Sequence, residues 1–450
     1  MVTGPMLLVL FVIAVALLLF AIIALKLDAF IALEVVAILT GFMVKMPLAD
    51  IAKGIATGFG NTMGSIGIVI GLGVILGRIL EEAGATEQIA NGLLKLTGKK
   101  NAPLAVNLTG YLVSIPVFFD AAFVILISLI REISRKTKIS FTTFVTALAI
   151  GLIVTHAMVI PTPGPVAVAG NMGISMGFFT LYAIIASLPA SLIGGWLYGL
   201  FLGKKYPFKP EEVEDEIPNE EEKKSSKPSF GLSLFVLLLP IILILLGTIL
   251  SVLLPKGSPS SKLFSFIGDK NIAMLIGVIV AMISMKKYLQ DSLEGVITRA
   301  IAATGVILLI TGAGGSFGNI INSSGIGAFI VDTFKNMHIS VLIFAFLLSQ
   351  VLRAAQGSTT VALITTSSIL GPMASKLGVS PILVALAICA GGIGLSLPND
   401  SGFWVVSKFS KFDTTKTMEV WTLGGTITGV TALIVILILS SLSRVLPGLH

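Results

Sequence analysis

Two interrupted apolar stretches hold most of the side chains in this sequence that could do chemistry. Ile160-Pro-Thr-Pro-Gly-Pro-Val166 sets three prolines and a glycine inside an apolar run from about 141 to 176. Proline removes a backbone donor and clashes with the preceding turn, so a helix must unwind there. Leu397-Pro-Asn-Asp-Ser-Gly402 breaks a second run, from about 382 to 413. Unwound backbone in an apolar layer survives only where protein or a wet cavity covers it. The opposed half-helix ends then offer N–H groups to an anion and carbonyls to a cation or proton carrier. One such break reads as a structural kink. Two equivalent breaks, with Thr162 in the first and Asn399 and Ser401 in the second, read as a binding site.

Titratable groups sit close by. Asp120 and Asp400 are the acidic residues nearest a third interruption, Ser114-Ile-Pro-Val-Phe-Phe-Asp120, and the second break. A carboxylate at bilayer depth costs about 2.5–3.5 kcal/mol or more, so such a group readily takes up a proton unless it is a structural cap. His156, four residues before the first break, titrates near neutrality and is a further candidate, although a lone histidine in an apolar run also serves as packing. Arg353 lies in a fourth interruption, Arg353-Ala-Ala-Gln-Gly-Ser-Thr-Thr360. Its guanidinium must pair either with an acidic side chain or with a substrate carboxylate. Gln356, Ser358, Thr359 and Thr360 beside it suit a polyhydroxylated ligand, or else hydrogen bonding between helices.

The elements that must position these groups are membrane helices. Of 450 residues, 55% are hydrophobic and 12% charged, with mean hydropathy +1.01; soluble domains carry about 25% charged residues. Apolar stretches of spanning length recur from end to end. The first, 5–25, lacks a basic leader and a small-residue cleavage site and is expected to stay as a helix. A net charge of +7 raises nucleic-acid binding, but the Lys and Arg residues form short clusters between apolar spans, as positive-inside anchors do. The single cysteine, Cys389, excludes an internal disulfide, and no metal-ligand cluster or catalytic constellation is visible. Gly71-Leu-Gly73-Val-Ile-Leu-Gly77 has the wrong spacing and no strand for a dinucleotide loop. The glycine pairs 60/64, 67/71 and 73/77 are expected to let helices approach closely.

Organisation follows from charge and repetition. Residues 203–229 form a charged stretch with eight of the 23 acidic residues, read as a cytoplasmic linker between halves 1–202 and 230–450. Gly77-Arg-Ile-Leu-Glu-Glu-Ala-Gly84 matches Gly318-Asn-Ile-Ile-Asn-Ser-Ser-Gly325 at an offset of 241, which also pairs Asp50 with Asp291 and Gly54 with Gly295. Near the breaks the offset is 238, and Pro161 falls on Pro398 after a further slip. Several matches in order argue for duplication. Both flanks of the stretch at about 101–131 are basic, which predicts a re-entrant hairpin; 339–370 is its poorly basic counterpart from the opposite face. The expected fold is an all-α polytopic membrane protein of two inverted repeats. Each has about five transmembrane helices, a re-entrant hairpin and a broken helix, and both termini lie outside. Twelve to fourteen simple helices is the alternative.

Five motifs in order resemble the gluconate:proton symporter (gluconate permease) family of the larger ion transporter superfamily. They are Thr57-Gly-Phe-Gly-Asn-Thr-Met-Gly-Ser65, the Gly77–Gly84 run, Pro161-Thr-Pro-Gly-Pro165, Leu352-Arg-Ala-Ala-Gln-Gly-Ser-Thr-Thr360 and Leu397-Pro-Asn-Asp-Ser-Gly-Phe-Trp404. The resemblance covers nearly the whole chain; the central linker is its least similar part. It implies proton-driven uptake of gluconate or a related sugar acid across a bacterial inner membrane, by a homodimer with an elevator-like moving domain. It leaves open D-serine or another hydroxy acid as substrate, and sodium in place of the proton. The expected assignments are Arg353 for the carboxylate, with Asn61, Thr162, Gln356, Ser358, Thr359, Thr360, Asn399 and Ser401 for the rest of the substrate, and Asp120, Asp400 or His156 for the proton. No cofactor, enzymatic activity or nucleic-acid partner is expected.

Overall fold

The structure, a computed structural model, describes residues 2–98, 101–213, 226–255, 258–327, 329, 340–376, 378–398 and 400–449. Every regular element among them is helical. The first half comprises α1 (Met6–Ile23), α2 (Ala29–Met43), α3 (Leu48–Glu82), α4 (Ala85–Thr97), α5 (Ala102–Val113), α6 (Phe119–Thr137), α7 (Phe141–Met158), α8 (Pro163–Asn171), α9 (Met176–Ser191) and α10 (Tyr198–Lys205). The second half comprises α11 (Phe230–Leu253), α12 (Pro259–Ile267), α13 (Lys270–Met285), α14 (Leu293–Ser323), α15 (Val341–Gln356), α16 (Thr359–Leu370), α17 (Pro381–Gly391), α18 (Ser401–Ser410), α19 (Thr414–Thr417) and α20 (Gly424–Ser441).

Local chemistry sets the helix starts. Asp28, Ser229, Ser258, Asp269, Ser292, Ser358, Asp400 and Asp413 each stand before a helix and accept a backbone N–H of its first turn, satisfying a donor that has no helical partner. The first interruption lies where the prolines require it: α7 ends at Met158 and α8 begins on Pro163. The second is longer than its sequence suggests. α17 ends at Gly391, six residues before the motif at 397, because Gly391, Gly392 and Gly394 weaken the helix and Leu395 takes a positive φ of 46°.

The order of elements recurs. Each half runs from a very long helix (α3, α14) through a pair of helices joined by a short connection (α5–α6, α15–α16) to an interrupted pair (α7–α8, α17–α18). A helix carrying a six-residue π-helical turn then closes each half, at Leu192–Leu197 and at Met418–Leu423. Among the described residues, seven helices are long and apolar enough to cross a membrane, counting 141–171 as one interrupted span. α5 and α16, at 12 residues each, rise only about 18 Å, short of the roughly 30 Å hydrocarbon layer.

Burial divides these elements. Every residue of α7, from Phe141 to Met158, is buried, as are all from Val361 to Leu370 on α16 and from Ile382 to Gly391 on α17. Helices apolar all round belong in the interior. α3 and α14 pack antiparallel along each other and keep one flank outward, with Ile68 and Val306 about 60% exposed. The charged stretch between the halves is anchored at both described ends. Lys416 pairs with Glu212 at 3.0 Å, and Lys227 with Glu87 at 2.8 Å. Residues 214–225 of that stretch lie outside the described residues.

Candidate functional site

Four elements that end or begin in mid-protein converge on a cavity of about 180 Å³. Phe118, Phe119 and Asp120 reach it from the start of α6, and Ile153 and His156 from the last turns of the buried α7. The α15–α16 connection supplies Arg353 and the run from Gly357 to Thr360. The start of α18 supplies Asp400, Ser401 and Gly402, and the second π-helical turn adds Trp421. Of the groups singled out from sequence, Asp120, His156, Arg353, Ser358, Thr359, Thr360, Asp400 and Ser401 are thus brought together.

Arg353 and Asp400 are both buried, and Nη2 of the arginine donates to Oδ2 of the aspartate at 2.6 Å. Of the two partners open to Arg353, an acidic side chain is therefore in place. The same Oδ2 accepts from Ser396 Oγ and, at 3.3 Å, from Trp421 Nε1, while Oδ1 accepts from the Gly402 N–H at 3.0 Å. Trp421 also donates to Ser396 Oγ at 2.6 Å, and its ring lies 4.6 Å from that of Phe119. In each of these contacts the Asp400 carboxylate is the acceptor, so it holds the arginine, caps α18 and anchors the tryptophan together. The arginine keeps Nε and Nη1 buried without a partner among the described residues, as do His156 Nδ1 and Thr359 Oγ1. An unpaired buried donor costs about 1–3 kcal/mol, so these atoms constitute unmet demand for an acceptor-rich ligand. Asp120 accepts no hydrogen bond from any described residue and lies near enough to Asp400 and Arg353 to feel both charges.

The remaining expected residues go elsewhere. Thr162 is buried and turns its hydroxyl onto the Val159 carbonyl, closing the first break on itself. Gln356 reaches Thr365 at 3.5 Å and does not line the cavity. Asn61 lines a different cavity, of about 350 Å³, together with Asn171, Asn319 and Asn322. Asn399 lies outside the described residues. Sequence reasoning missed Ser396, Trp421 and Phe119; the glycines before Ser396 were the one available signal that the second break starts early. Among the described residues, no three His, Cys, Asp or Glu side chains come together as a metal site would require.

Glycines set how these elements meet the long helices. A Cβ added to Gly77 of α3 would lie 2.0 Å from the Pro116 carbonyl oxygen in the α5–α6 connection, and one on Gly318 of α14 would lie 2.2 Å from the Ser368 carbonyl oxygen. Backbone touches backbone at both places, which only glycine permits. Gly60, Gly64 and Gly71 have nothing within 4 Å and Gly67 one atom at 3.8 Å. Of the pairs expected to bring helices together, only 73/77 does so, because the others turn to the open flank of α3. Phe118 also borders a third cavity, about 230 Å³, beside Arg78, Glu81 and Arg299.

Known proteins with the same sequence pattern are membrane permeases. A family described as GntP family permease matches residues 6–442. An "Uncharacterized permease" of Haemophilus influenzae is 37% identical over 433 residues, covering 92% of this chain and 88% of the relative. A "Low-affinity gluconate transporter" of Escherichia coli is 34% identical over 428 residues, covering 94% and 95%. A "Gluconate permease" of Bacillus subtilis is also 34% identical, over 437 residues, covering 94% and 97%. Among solved structures, the YdaH transporter of Alcanivorax borkumensis superposes with a TM-score of 0.61 at 14% identity, covering 88% of this chain and 90% of that one. MtrF of Neisseria gonorrhoeae gives 0.63 at 17%, covering 88% and 84%. At such identities the two structures speak for the fold alone.

Proposed function

This chain belongs to the GntP family of permeases, and on that premise we propose that it imports gluconate or a related sugar acid by symport with protons across a bacterial inner membrane. The observation that carries the reading is the company kept in one cavity: an arginine with two unpartnered nitrogens, two carboxylates and a histidine, beside four hydroxyls. A substrate carboxylate would take the free side of Arg353, and Ser358, Thr359, Thr360 and Ser401 would meet hydroxyls. With Asp120 and Asp400 both charged, the site is net negative and repels an incoming anion. A proton on Asp120 removes that repulsion, so anion and proton favour each other's binding. Asp120 is the better carrier of the two because Asp400 is already committed to four donors, and His156 is the next group along. Import of a monoanion with one proton is electroneutral; a second proton would draw on about 2.3 kcal/mol per 100 mV.

The movement we propose is an elevator-type displacement of α5–α8 and α15–α18 along α3 and α14. The inverted arrangement of the halves, with 101–131 and 339–370 as re-entrant hairpins, is part of this reading, as are a homodimer, a cytoplasmic linker and outside termini. It is supported by the full burial of α7 and of the stretches from Val361 to Leu370 on α16 and from Ile382 to Gly391 on α17, and by the lysines at 95, 204, 205, 286 and 287 around the linker side.

Proteoliposomes with an alkaline interior and no sodium provide the test. Labelled gluconate is expected to accumulate and to leak away when a protonophore collapses the gradient. Asp120→Asn should abolish accumulation while sparing gluconate–gluconate exchange. A strict sodium requirement would overturn proton coupling, and indifference to a panel of sugar acids and D-serine would overturn the substrate class.

A further inference from the structure

The largest of the three cavities, about 350 Å³, does not contain Arg353. Asn61, Thr62 and Ser65 of α3 line one wall and Asn319 and Asn322 of α14 another; the ends of α8 and α16 close it with Asn171 and Ser368. Its size falls in the range of small-molecule sites, about 300–1,000 Å³. Among the described residues no charged side chain lines it. Part of its polarity is structural: Asn319 donates to the Gly54 carbonyl at 2.7 Å, and Asn171 to Ser367 and Ser368 at 3.0 and 3.1 Å. Asn61 and Asn322, by contrast, are exposed, and their side-chain amides make no hydrogen bond to any described residue. A free amide offers two donors and a carbonyl acceptor, and two of them facing one space can meet hydroxyls in either sense. Amides on spanning helices are costly against lipid, so an uncommitted pair implies a wet or ligand-filled space.

Resting on the proposed sugar-acid transport, we infer that this cavity is a second, charge-free binding site that takes the polyhydroxylated end of the substrate. Lacking a cation, it recognises hydroxyls alone and accepts a neutral straight-chain polyol as well as a sugar acid. It lies against the far end of α16, ten residues from Ser358, or about 15 Å of helix, so the two sites act in succession rather than on one molecule at once.

Sorbitol serves as the probe, with thermal unfolding of the purified full-length protein as the readout. Polyols stabilise any protein by exclusion, so wild type is compared with Asn61→Ala, Asn322→Ala and the double variant at equal sorbitol. The expected result is a saturable increment in wild type, with its midpoint moved by about tenfold in each single variant, as loss of a hydrogen bond or two implies, and gone from the double variant. Superimposable sorbitol curves for wild type and double variant would mean solvent alone fills the cavity and would overturn the inference. This readout does not depend on uptake, so a wild type that shows the increment but transports no sugar acid defeats the functional reading and leaves the polyol site standing.

Discussion

The two halves use the same glycine ridge in different places. In the first half, Gly77 of α3 carries the α5–α6 connection at Pro116, and Gly73 lies against the Pro161 carbonyl of the break. In the second, the matching glycines of α14, Gly314 and Gly318, carry Ile364 and Ser368, well down α16 from the connection at Gly357 and Ser358. One half rests its tip on the ridge and the other rests its shaft, a difference of about 15 Å along a helix. On the sliding movement proposed above, this would be the distance travelled, with exchange of the two seats as the alternate state. The chemistry is divided in the same way, since the first connection leads to the acid, Asp120, and the second follows the base, Arg353.

Trapping the exchanged seat should have the largest effect. With Cys389→Ala, Ser358→Cys and Asn319→Cys are too far apart in the described arrangement and join only if the second connection reaches Gly318. Oxidation during turnover should then yield a cross-link and stop uptake; a pair that never joins, in a transporting protein, breaks the comparison. Arg353→Ala comes next. It leaves Asp400 as an uncompensated buried charge, worth about 3–5 kcal/mol, and uptake should fall by more than about a hundredfold. Gly77→Ala and Gly318→Ala each press a methyl into a carbonyl at about 1–3 kcal/mol, lowering thermal stability and slowing uptake, whereas Gly64→Ala, which meets nothing, should behave as wild type. The smallest effect is at the surface. Asp291 is held below the usual carboxylate range by the Arg299 side chain and the Ser292 N–H, while its first-half match Asp50 has Gly58 where Arg299 would stand. A depressed carboxylate stabilises above its ordinary titration range and loses that as pH falls through its folded value. Asp291→Asn should therefore slightly lower the unfolding midpoint at pH 7, with the difference closing in acid.

The first break was legible because proline at 161, 163 and 165 forbids a continuous helix whatever surrounds it. Arg353 and Asp400 were legible as groups that lipid cannot tolerate alone, though their pairing was not, since 47 residues and a folded core separate them. Trp421 was invisible: in an apolar helix a tryptophan reads as membrane anchorage, and only the packing of α18 beside the π-helical turn brings it to Asp400. Asn61 was expected to meet the substrate beside Arg353 and lines another cavity, because sequence gives the depth of a residue along a helix but not the direction it faces.

The π-helical turn at Met418–Leu423 has a last consequence. Such a turn holds one residue more than an α-helix of the same height. Deleting a single residue there would let the turn close as ordinary α-helix, leaving the flanking segments nearly in register but re-aiming the side chains within the turn. The orientation of the Trp421 indole toward Asp400 thus depends on a surplus of one residue, and a gap that looks harmless in an apolar stretch would disconnect the site.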